Sequence, residues 1–192
     1  MSARADPIGD GLAAAARLML GDRAGLRGLD ASPDALRLSL VGLALMIAID
    51  ASAAGLQWDL IEEPARSKSG FVLGQSLLSL LAYGAALGAA TLFARDEGTR
   101  TLVPLFVTAQ NWAMAVFSAA TLPLVWFILQ GGGVGGLSLL LYLVLLGMAV
   151  VAWFRVTRIT LDQPAGRAGV ITATSFVALF FAQGMLAPFL LG

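Results

Sequence analysis

Asp50 is the one acidic residue inside a long apolar run, and an ionised carboxylate there costs at least about 2.5–3.5 kcal/mol on insertion scales. It is therefore expected to face protein, water or the interface rather than lipid. At a helical rise of about 1.5 Å per residue, Gln75 and Gln183 fall at a similar height on two other apolar runs. The three side chains form a candidate intramembrane polar layer, with Asn111 deeper in a further run. Such a layer joins helices by hydrogen bonds or lines a path for a proton or small solute, and helix joining is the simpler chemistry. Gln110 and Asn111 are adjacent and point about 100° apart on a helix, so they must find different partners.

The rest of the chain offers little reactive chemistry. It has no Cys and no His, which excludes disulfides, thiolate nucleophiles, His-ligated metals, cysteine-ligated iron–sulfur clusters and Ser-His-Asp triads. Asp96 and Glu97 are the other acids an enzyme acting on lipid would need, and two adjacent carboxylates in ARDEGTR suit a solvated turn. We expect no enzyme, cofactor or metal. Twelve Lys plus Arg balance twelve Asp plus Glu, so no charge excess points to nucleic acid. Lys68 is the only lysine in a chain rich in Ala, Gly and Leu, the composition of a GC-rich bacterial genome.

The elements that hold these residues are membrane spans. With 58% apolar residues, 12% charged and a mean hydropathy of +0.85, 192 residues exceed what one soluble core can bury. Five runs reach the roughly 20 residues a bilayer requires: Leu38 to Leu56, Phe71 to Phe93, Leu102 to Leu129, Leu137 to Val156 and Gly169 to Leu191. The predicted fold is an all-α polytopic membrane bundle, with residues 1–34 as an N-terminal segment and 35–192 as the transmembrane domain. Within the N-terminal segment, Ile8 to Leu20 suits a short interfacial helix. Ser32-Pro33-Asp34 is a helix start by capping, by proline at the first position and by charge. Ala51-Ser52-Ala53 has the form of a signal cleavage site, but the charged region before it is too long for a signal, so a retained helix is expected. Pro123 within the long third span predicts a kink or a pronounced tilt. QGGGVGG reads as a turn, since the Lys and preceding strand of a phosphate loop are missing.

Basic residues set the orientation. With the N-terminus in the cytoplasm, Arg4, Arg17, Arg23, Arg27, Arg37, Arg95, Arg100, Arg155, Arg158 and Arg167 all fall inside. Only Arg66 and Lys68 remain outside, beside Asp59, Glu62 and Glu63. Trp58 and Trp126 near outer ends and Trp153 near an inner end suit interfacial indoles. Arg155, Arg158 and Arg167 are candidate ligands for lipid phosphates. Gly84 and Gly88, beside Ala85 and Ala89, form a small-residue face for close helix packing. That face is expected to pack within the chain in preference to another subunit.

The order LGDRAGLRGLDASPDALRLSL, then VTAQNWAMAVF, then WFRVTRITL resembles small five-span membrane proteins of alphaproteobacteria, loosely similar to the Yip1 group, over roughly residues 18 to 190. The DLYGP motif that eukaryotic Yip1 proteins carry has no counterpart here, so the resemblance implies no GTPase-linked trafficking role and no functional residue. Taken together, the sequence leads to a multi-pass protein of the bacterial inner membrane that contacts lipids and other membrane subunits. The expected role is a non-catalytic accessory or assembly subunit. A small transporter or channel component is the alternative.

Overall fold

The computed structural model describes residues 6–61, 66–94, 97–132 and 136–191. Arg4, Glu62, Glu63, Arg95, Asp96 and the middle of the QGGGVGG turn lie outside them. Among the described residues the regular structure is helical: α1 (Pro7–Met19), α2 (Pro33–Trp58), α3 (Lys68–Phe93), a single turn α4 (Glu97–Arg100), α5 (Val103–Phe127), α6 (Gly136–Thr160) and α7 (Ala165–Leu191). Five of these, α2, α3, α5, α6 and α7, are long and apolar enough to cross a membrane. The chain has the fold of an all-α polytopic membrane bundle.

Local chemistry explains the helix ends. Ser32 caps α2 by accepting from the Ala35 N–H at 3.2 Å, with Pro33 next. Just ahead, Asp30 accepts from the Ser32 N–H at 3.1 Å, and hydrogen bonding from the Ser32 side chain and then from this N–H holds its carboxyl below the usual carboxylate range. Asp6 caps α1 through the Ile8 and Gly9 amides. The far end of α1 closes in a Schellman turn: Gly21 takes φ +90°, its N–H bonds to Leu18, and the Asp22 N–H reaches Arg17. The same turn ends α6, where Asp162 takes the left-handed position at φ 46° and the Gln163 N–H bonds to the Arg158 carbonyl. Pro123 stays within continuous α-helix, and the departure from α geometry follows as a π turn over Ile128–Gly132.

Packing arranges the spans as a ring in the order α2, α3, α7, α6, α5 and back to α2. The tightest seams are α3 on α7 and α2 on α5, whereas α6 touches both of its neighbours lightly. Glycines set the tight seams. A Cβ on Gly42 of α2 would meet the Asn111 backbone oxygen of α5 at 2.8 Å, and one on Gly74 of α3 would collide with the Leu190 carbonyl of α7. At the face opposite α1, Trp58 donates to the Arg66 carbonyl at 3.1 Å and Lys68 pairs with Asp59 at 2.7 Å.

Three expectations are revised. Among the described residues, Gly84 and Gly88 pack against no other helix, for a Cβ on either would meet nothing within 4 Å. The inward stripe of α3 is instead Leu78, Ala82, Ala86 and Ala90, roughly opposite the glycines around the helix. Trp153 is no interfacial anchor, because it is buried in the ring between Tyr83 and Phe176 with edge-on ring centroids 6.0 and 5.9 Å away. α1 does not merely lie at an interface. Gly11, Ala15 and Leu18 are buried against α5 and α6, and Ala14 beneath the segment Arg23–Gly28, at spacings i, i+3, i+4 and i+7 that leave Asp10 and Arg17 outward.

Candidate functional site

Polar side chains gather at three places inside the ring. The first is a helix junction. Asn111 on α5 donates through Nδ2 to the Ser39 hydroxyl of α2 at 2.9 Å and accepts from the Tyr83 hydroxyl of α3 at 2.9 Å. All three residues are buried. Ser39 also donates to the Leu36 carbonyl at 2.7 Å, so its hydroxyl is used as both donor and acceptor. The junction ties three spans at one depth. Trp112, the next residue, points elsewhere: its indole lies where a Cβ on Gly11 of α1 or Gly42 of α2 would meet it.

The second place is a vestibule of about 170 Å³ toward the face opposite α1, lined by Asp50 and Gln57 of α2, Gln75 and Ser79 of α3, and Tyr142 of α6. Asp50 lies on the inward stripe that includes Ser39, Gly42, Met46 and Ala54, which turns its carboxyl to the ring and toward the Ser79 hydroxyl. The Gln75 carbonyl oxygen is buried without a hydrogen-bond partner among the described residues. Asp50 and Gln75 thus share one cavity.

Gln183 does not join them. It lines the third place, a cavity of about 210 Å³ between α5, α6 and α7, opposite Gln110 and Trp153. Asp50, Gln75 and Gln183 are each about 10–12 Å from the helix end on the face opposite α1, the C-terminal end of α2 and α7 and the N-terminal end of α3, but the ring turns them to different cavities. Asn111 belongs to the junction and touches neither cavity. The four residues of the expected layer therefore divide into a pair, a junction and a separate wall.

The three arginines also divide. Arg155 donates to the Met19 carbonyl at the end of α1, at 3.1 Å, and Arg167 to the Phe93 carbonyl at the end of α3, at 3.4 Å. Cations at helix C-termini complement the dipole and satisfy orphan carbonyls. All three side chains are exposed, so contact with lipid phosphate remains open to them. Arg23 bridges to Asp162 at 3.2 Å, tying the segment after α1 to the end of α6.

Ser39, Tyr83 and Ser79 were not marked by sequence reasoning, and Trp153 was marked only as an interfacial indole. A signal existed for Ser39, whose spacing to Gly42 and Met46 is helical. None existed for Trp153, whose surroundings depend on ring order. No family model, curated protein or solved structure matches the chain.

Proposed function

We propose that this protein is a non-catalytic subunit of a larger membrane complex, docked through α3. One observation carries the reading: the outward face of α3 aligns Leu77, Leu81, Gly84, Gly88 and Leu92, and nothing among the described residues lies over its glycines. Glycines four apart let a second helix approach closely enough for backbone contact. The chain meets its own close approaches with other glycines, Gly42 and Gly74, which leaves the α3 pair for a partner. The lack of Cys and His agrees with a structural role.

The test is purification in mild detergent with mass spectrometry of what accompanies the chain. Wild type is expected to carry at least one further membrane polypeptide. Gly84→Leu is expected to insert and fold, since its side chain enters open space, but to lose most of that partner. A pure monodisperse monomer from wild type would contradict the proposal. It would move weight to the second reading, a small transporter or channel component, which draws on the vestibule of Asp50, Gln75 and Ser79.

The setting we propose is the bacterial inner membrane with α1 in the cytoplasm, supported by the one-sided arginines. The loose likeness in layout to alphaproteobacterial five-span proteins agrees with that setting. Reporter fusions after Asp10 and after the last residue are expected to label opposite compartments. Identical labelling would refute the five-span topology.

A further inference from the structure

The cavity between α5, α6 and α7 is walled by apolar side chains, among them Phe117, Leu146, Phe176 and Phe180. Two buried N–H groups on its lining residues, Gln110 Nε2 and Trp153 Nε1, have no hydrogen-bond partner among the described residues. Gln110 is 1% exposed and Trp153 4%. Each unpaired donor in an apolar setting costs roughly 1–3 kcal/mol, so two on residues that line one cavity call for an acceptor, which each N–H reaches by a small turn of its side chain. An amide can turn to donate or accept, but an indole N–H only donates, and this fixes the polarity of the missing group.

We propose that this cavity binds a neutral lipophilic ring bearing a carbonyl oxygen, which accepts from Gln110 and Trp153. Three observations set the class. The lining contains no cationic side chain to neutralise an anion. The volume, about 210 Å³, exceeds the 150 Å³ or so of an engineered apolar cavity that holds benzene. That comparison indicates a substituted ring. The aromatic walls offer edge-on and offset contacts to such a ring. Leu146 of α6 and Phe180 of α7 line the cavity and are also exposed, and a mouth between these two helices would open into the bilayer. A tail on the ring can leave through that mouth. The light packing of α6 on α7 permits entry. The site is independent of the α3 face.

The test is equilibrium dialysis of the full chain in nanodiscs, with empty nanodiscs as the reference for lipid partitioning. The probes are 2-methyl-1,4-naphthoquinone and 2-methylnaphthalene, which differ in the two carbonyl oxygens. The chain has no cysteine for the quinone to modify. Saturable uptake of the quinone above empty nanodiscs is expected, at least about tenfold tighter than the hydrocarbon, the ratio that one good hydrogen bond supplies. Gln110→Leu, which leaves the Trp153 donor in place, is expected to shrink that difference, and Ala149→Phe, which fills the cavity from α6, to abolish saturable uptake. Should Gln110→Leu fail to yield monodisperse protein, Ala149→Phe on the loosely packed α6 decides. Uptake equal to empty nanodiscs, as a cavity holding only water would give, overturns the proposal. So does equal binding of both probes, as an acyl-chain slot would give, or quinone uptake unchanged by Ala149→Phe.

Discussion

Truncation of Trp112 to alanine is expected to free α1 from the bundle. The indole is 2% exposed and sits against Gly11 of α1 on one side and Gly42 of α2 on the other. It belongs to the cluster of Ala15, Leu18, Ala109, Val156 and Ile159 that joins α1 to α5 and α6. Removing a buried Trp from a soluble core costs about 3–5 kcal/mol through lost contacts and the cavity left behind. In a bilayer the transfer part shrinks, because the alternative surroundings are also apolar, so about 3 kcal/mol is expected. The loss is local. Tryptic cleavage after Arg17 should accelerate by two orders of magnitude or more, that energy read as an opening equilibrium, while the spans stay in the membrane. Cleavage at the wild-type rate would mean that α1 is held by its turns and Arg155 rather than by Trp112.

The second large effect is at Gly42, and its interest lies in a contrast. Gly42→Ala places a Cβ 2.8 Å from the Asn111 backbone oxygen and 2.9 Å from the Trp112 ring. Neither can yield without moving α5, which carries the Asn111 bonds to Ser39 and Tyr83. Overpacking of this kind costs about 1–3 kcal/mol. Gly84→Ala meets open space, so helix propensity alone acts and the change is neutral or stabilising by up to about 1 kcal/mol. Thermal unfolding in one detergent is expected to order the three proteins as Gly42→Ala, then wild type, then Gly84→Ala. The reverse order would place the helix seam on the wrong face of α2 or α3.

These two glycines also mark how far the sequence was legible. Spans are visible because hydropathy accumulates over about 20 residues and tolerates local error. Helix starts such as Ser32-Pro33 are visible because a cap is made by neighbours in sequence. A glycine pair carries no information on which side of its helix a neighbour will stand. On α3 the alanine stripe Ala82, Ala86 and Ala90 took the inward side, and the more conspicuous glycines were left outside. The polar residues behaved alike. Depth along the membrane is read by counting residues, which puts Asp50, Gln75 and Gln183 at similar distances from their helix ends. Which cavity each one faces depends on ring order and helix rotation, and both are set by contacts between spans distant in sequence. Trp153 shows the same limit: its place near a helix end suggested an interface, and the rotation of α6 buried it.

Docking of another polypeptide on α3 has a direct test, because the chain contains no cysteine. Single substitutions Gly88→Cys on α3 and Val177→Cys on α7 put one thiol each on a lipid-facing position. Each is treated with a short thiol-to-amine photocrosslinker in intact membranes, before any detergent is added. The Gly88→Cys protein is expected to shift to a discrete higher-mass adduct containing a second polypeptide, and Val177→Cys to remain a monomer. No adduct from Gly88→Cys, or the same adduct from both positions, would contradict the claim.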